Sequence, residues 1–93
     1  MSRTMIRALN PEAILLDNSF DVAIVGVGNN ASGDVVAVYS QKDCVDIISS
    51  DGVEDADARM LFATFVEHSR GRYSPVFLTE FWEIALTVNY GIT

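Results

Sequence analysis

Few side chains in this sequence could do chemistry. Arg70 and Arg72 flank Gly71, with His68 before them and Tyr73 after. Guanidinium groups offer planar, bidentate donors, so this loop is a candidate grip for a small anionic ligand or nucleotide signal. A soluble connection with no ligand fits the same residues. Nucleophilic catalysis would need Cys44, or a serine, activated by His68, the only imidazole present. Cys44 falls on the apolar side of an expected helix, where a thiol behaves as a small hydrophobe. His68 falls at the end of another helix, where a cation suits the dipole. One Cys and one His are too few for zinc. Acidic pairs such as Asp43/Asp46 and Glu54/Asp57 lack the oxygen-rich loop spacing of a calcium site. The expectation is therefore a non-enzymatic protein with no catalytic residue, no metal and no cofactor.

Gly26-Val27-Gly28-Asn29-Asn30-Ala31 matches a relaxed dinucleotide fingerprint. That chemistry needs a helix N-terminus facing the pyrophosphate. Here Ser32-Gly33-Asp34 and a second Val-rich run follow, so the glycines read as part of a hairpin. The remaining candidate is negative charge. Asp43, Asp46, Asp51, Glu54, Asp55 and Asp57 crowd the stretch around one inter-helix turn, where gathered carboxylates could meet a basic partner or imitate nucleic acid.

Thirteen acidic residues against six basic ones give a net charge of −7, which argues against direct binding of phosphate backbones. With 93 residues, 49% of them apolar, the chain suits a single domain over 1–93 with a modest core, not a disordered one. The lone cysteine excludes an intramolecular disulfide. The N-terminus lacks the apolar run of a signal peptide, and no stretch approaches a membrane span. These features point to a reducing cytoplasm and no membrane partner.

The elements that must position these side chains follow from local signals. Residues 1–9 carry no strong pattern and read as a loose arm. Asn10-Pro11-Glu12 reads as a helix start, with one or two turns over Ala13–Leu16. Asp21–Gly28, apolar on both faces, reads as a central strand, and Val35–Tyr39 as its hairpin partner. Ser40 caps a helix over 41–50, with Asp43 in an approximate capping box, and Cys44, Val45 and Ile48 share its buried face. A second helix over 54–68 buries Ala58, Leu61, Phe62 and Phe65. Pro75–Thr79 reads as a third strand. The extension 80–93 alternates Trp82, Ile84, Leu86, Val88 and Tyr90 with smaller or polar residues, which favours a strand over a helix ended by Gly91. The expected fold is α+β: a small antiparallel sheet, made of the hairpin and one or two C-terminal strands, packed against two main helices.

The order of features from Glu12 to Leu78 resembles a family of small uncharacterised proteins of tailed bacteriophages. The resemblance rests on Asp17 with Phe20-Asp21, on Ala23-Ile24-Val25-Gly26-Val27-Gly28, and on Ala37-Val38-Tyr39. It continues through Cys44 with Ile47-Ile48, Asp51-Gly52, the acidic start of the second helix, and Ser74-Pro75-Val76-Phe77. Where family members commonly place Arg-Cys-Gly after the first strand, this chain has Asn29-Asn30-Ala31-Ser32-Gly33, and the stretch beyond Thr79 looks like an addition. The family has no established activity. The resemblance implies a phage protein acting in the host cytoplasm.

Together these readings point to a phage accessory protein that binds a host or defence component, as an inhibitor or modulator, with mimicry of nucleic acid by its acidic surface as one variant. Trp82 and the strand edge of the extension would offer a surface for a partner or a second copy, so a homodimer is expected. A sponge for an anionic ligand, a minor virion protein and a small enzyme remain as alternatives.

Overall fold

The computed structural model describes residues 2–79. Its elements are helix α1 (Arg3–Leu9), a 3-10 segment (Asn18–Ala23), strands β1 (Ile24–Asn29) and β2 (Val35–Ser40), helices α2 (Gln41–Ser49) and α3 (Asp55–His68), and strand β3 (Val76–Leu78). The fold is a small α+β arrangement. The β1–β2 hairpin and β3 form a three-stranded sheet in the order β1-β2-β3, packed against α2 and α3. The expected extension 80–93 lies outside the described residues.

The sheet is mixed rather than antiparallel throughout. β1 pairs antiparallel with β2, whereas β3 lies parallel to β2, with Val38 opposite Val76 and Tyr39 opposite Phe77. Parallel neighbours need a long crossover, and α2 and α3 provide it. Among the described residues the middle strand is therefore β2, with Val36, Ala37 and Tyr39 fully buried, while β1 is an edge. The expectation of a central first strand over 21–28 is corrected. Phe20 and Ala23 enter the core from the 3-10 segment, and Val22, 82% exposed, faces out. An irregularity in register between Ile24 and Gly26 re-aims the strand at Val25.

The N-terminal residues are not a loose arm. The Ser2 hydroxyl accepts from the Met5 N–H at 3.3 Å and caps α1, which buries Ile6 completely. Arg3 anchors the helix, holding the Asp21 carboxylate at 2.9 Å and donating to the Leu16 carbonyl at 2.6 Å. The expected helix after Asn10-Pro11-Glu12 does not form. Asn10 instead ends α1, its N–H donating to the Ile6 carbonyl and its side chain to the Val35 carbonyl at 2.7 Å. Residues 13–17 cross the core without helical bonding, burying Ala13 and Leu16.

α2 and α3 follow their local signals. The Ser40 hydroxyl accepts from the Asp43 N–H at 3.2 Å, and Cys44, Val45 and Ile48 are buried. Gly52, with φ of +89°, turns the chain into α3 in a conformation that L side chains avoid. α3 buries Ala58 and Phe62. Phe65 is half-buried, edge-on to Phe20 at 5.6 Å, and Phe62 meets Phe77 edge-on at 5.0 Å. Leu61, expected in the buried stripe, is 42% exposed.

Candidate functional site

The loop after α3 was the candidate anion grip, and its cations are engaged within the protein. Ser69 is buried, its hydroxyl donating to the Val66 carbonyl at 2.9 Å. Arg70 pairs with Glu67 at 2.8 Å on an exposed surface. Arg72 reaches thirty-eight positions back to Asp34 at 3.2 Å, and its guanidinium lies 5.1 Å from the centre of the Tyr73 ring. The Asp34 carboxylate holds the Arg72 guanidinium above its ordinary pKa. Desolvation, with the nearby Glu12 carboxylate, pushes the Tyr73 phenol up as well. His68 lines a different surface, an apolar cleft of about 230 Å³ with Ile14, Leu15, Phe20 and Phe65, to which Arg70, Arg72 and Tyr73 do not contribute. None of the clefts described among residues 2–79 is lined by all four.

Arg72 is drawn to the hairpin loop by Asn30. The Asn30 side-chain oxygen accepts from the N–H groups of Ser32 at 3.0 Å and Asp34 at 2.9 Å, and its amide donates to the Arg72 carbonyl at 2.9 Å. A side chain that satisfies its own turn in this way fixes the loop. Gly33, at φ +85°, completes the turn. Gly26-Val27-Gly28 thus runs into a hairpin, and the helix N-terminus that a dinucleotide would need is not there.

Cys44 and His68 are apart in role and setting. Cys44 is fully buried on α2 and unpaired, and burial pushes its thiol up to about 12. A nucleophilic cysteine needs the opposite shift, towards thiolate. His68 is exposed at the end of α3. Among the described residues no group of three or more His, Cys, Asp or Glu is placed to hold a metal ion, and no helix is long and apolar enough to cross a membrane.

The acidic set divides. Asp46 pairs with Lys42 at 3.6 Å and Asp55 with Arg59 at 3.1 Å. These four residues line a polar cleft of about 440 Å³ between the starts of α2 and α3. Asp43 is exposed in the first turn of α2. Asp51, Glu54 and Asp57 are exposed around the α2–α3 turn and make no ion pair among the described residues. Glu54 caps α3 through its carbonyl alone, which accepts from the Ala58 N–H at 2.8 Å. Trp82 lies outside the described residues. Met60, which carried no signal in the buried-stripe reading, stands 70% exposed beside Leu61. Its position three residues after Asp57 and four before Thr64 on the outer face of α3 was the available clue.

No protein-family model matches this chain, and no curated protein or solved structure matches it.

Proposed function

We propose that this protein is a non-enzymatic accessory protein of a tailed bacteriophage that binds a protein of the host or of its defences through the acidic surface around the α2–α3 turn. The observation that carries this reading is the distribution of unpaired charge. Five of the six basic side chains, Arg3, Lys42, Arg59, Arg70 and Arg72, are held in ion pairs within the protein. Asp51, Glu54 and Asp57 take part in none of the ion pairs among the described residues. Such a surface attracts and orients a basic partner.

The burial of Cys44 and its distance in role from His68 support a binding rather than a catalytic reading. The anionic-ligand alternative has less support, since a ligand phosphate would have to displace Asp34 from Arg72.

The test is affinity capture of the tagged full-length chain from expressing bacteria, followed by mass spectrometry. A co-purifying protein is expected with the unaltered chain and with His68→Ala/Cys44→Ala, and its loss with Asp51→Asn/Glu54→Gln/Asp57→Asn. Retention of that protein by the triple variant would refute the reading, as would loss of biological effect in the folded His68→Ala/Cys44→Ala variant.

A further inference from the structure

α3 has more apolar surface than its core contacts use. Ala58 and Phe62 face inward, yet Met60 and Leu61 are exposed on the outer side, one helical turn on from Asp57. Two adjacent exposed apolar side chains on a helix that already has a buried stripe widen its apolar surface beyond what the core of the described residues uses.

Two depressions meet on that side. One, of about 430 Å³, runs between α2, α3 and the 3-10 segment over Ile47, Val53, Leu61 and Phe65. The other, broader and about 490 Å³, continues over Val53, Met60, Leu61 and Thr64. Val53 and Leu61 belong to both, so they form one apolar groove. Its rim is acidic: Asp17 and Asp51 border the first depression and Asp57 the second, and no Lys or Arg lines either. The Asp17 carboxylate accepts from the Ser19 N–H and hydroxyl, which holds it below its ordinary pKa and so keeps it charged.

We propose that this groove docks a short basic amphipathic helix of a partner protein, apolar side chains seated on Leu61 and Val53 and Lys or Arg side chains reaching the rim carboxylates. The proposal rests on the protein-binding reading above and specifies the surface and the chemistry of the partner. The groove is walled by helices and side chains rather than by a free strand edge. A segment laid into it must satisfy its own backbone, which a helix does. A second copy of this chain fits poorly, because a two-fold pairing would bring rim carboxylates towards rim carboxylates. The chain's own residues 80–93 carry Glu80 and Glu83 and no Lys or Arg, so they lack the cations that the rim calls for.

Fluorescence anisotropy with the full chain tests this, using labelled peptides of leucine and lysine roughly four helical turns long. One peptide gathers its leucines on a single helical face, a second has the same composition dispersed, and a third replaces lysine by glutamate. The first is expected to bind about tenfold tighter than the second, and the third not at all. Met60→Ser and Leu61→Ser, checked for folding by circular dichroism, should each weaken binding about tenfold. Asp51→Asn/Asp57→Asn should weaken it and flatten its salt dependence, whereas Asp46→Asn/Asp55→Asn should leave it unchanged. Equal binding of the two lysine peptides, indifference to both serine variants, or a dimer by light scattering that Leu61→Ser dissolves would each overturn the groove. If the groove fails while partner capture still depends on Asp51, Glu54 and Asp57, the protein-binding reading stands without it. Capture that ignores those three residues removes the reading itself.

Discussion

The backbone N–H of Leu16 donates to the phenolic oxygen of Tyr39 across 2.9 Å. Tyr39 is fully buried on the middle strand and stacks on Phe77 at 5.8 Å, so this bond joins the irregular 13–17 segment to the centre of the sheet. Tyr39→Phe keeps the ring and leaves the N–H without an acceptor. An unsatisfied buried donor costs about 1–3 kcal/mol. In a domain of this size each kcal/mol lowers Tm by roughly 4–8 °C, so thermal melts followed by circular dichroism should show a clear fall. An unchanged Tm would mean that the segment does not depend on this bond.

Asn30 makes a second long-range tie. Its side chain closes its own turn and donates to the Arg72 carbonyl, while Arg72 pairs with Asp34 on the same loop. Asn30→Ala removes three side-chain hydrogen bonds at once, each worth about 0.5–1.5 kcal/mol net. Arg72→Ala removes an exposed ion pair and should cost only about 0.2–1 kcal/mol. Urea midpoints of the two variants check the order. A larger loss from Arg72→Ala would show that charge, not turn closure, holds the hairpin to the loop after α3.

The Cys44 thiol, pushed up to about 12 by burial, gives a pH dependence of definite sign. An ordinary thiol titrates near pH 8.5, so over the range above that value the folded state keeps a proton that the unfolded state releases. The stability this contributes is fully present below the unfolded pKa and is lost as pH rises towards 12. Tyr39, raised chiefly by burial, adds a loss of the same sign at the upper end. Denaturant unfolding should therefore show falling stability above about pH 9, and Cys44→Ala should flatten the lower part of that fall. At pH 8 a thiol-specific disulfide reagent should label the protein only in urea; labelling of the native state would contradict the burial.

Local signals in the sequence were legible where the physics that decides them is local. Ser40 and Asp43 announce the start of α2 because the capping bond spans three residues, and Val35–Tyr39 is dense in the β-branched and aromatic side chains that favour a strand. Asn10 misled for the opposite reason. Its side chain serves the Val35 carbonyl twenty-five positions away, so a residue suited to start a helix ends one. Val22 and Val25 read as buried, yet both face out: Val22 lies in the 3-10 segment before the strand, and Val25 sits at the irregularity in register of β1. The parallel pairing of β3 and the Arg72–Asp34 bond depend on where α2 and α3 return the chain, which residue types alone do not encode. The acidic stretch was legible as charge. Which carboxylates are neutralised was not, since that turns on the rotamers of Lys42 and Arg59.

α3 offers the sharpest check on how the helix is rotated, because Leu61 and Phe62 are adjacent in sequence and opposite in environment. Phe62 is buried and packs edge-on against Phe77 at 5.0 Å. Phe62→Ala should cost about 3–5 kcal/mol. Against a total stability of about 5–15 kcal/mol, that brings the protein close to unfolding at ordinary temperature. Leu61 is 42% exposed, and alanine is the better helix former, so Leu61→Ala should cost about 1 kcal/mol or less. Urea midpoints should therefore separate widely between the two variants. Equal losses would mean that Leu61 belongs to the core as the sequence periodicity suggests, and would close the outer groove of α3 to any partner.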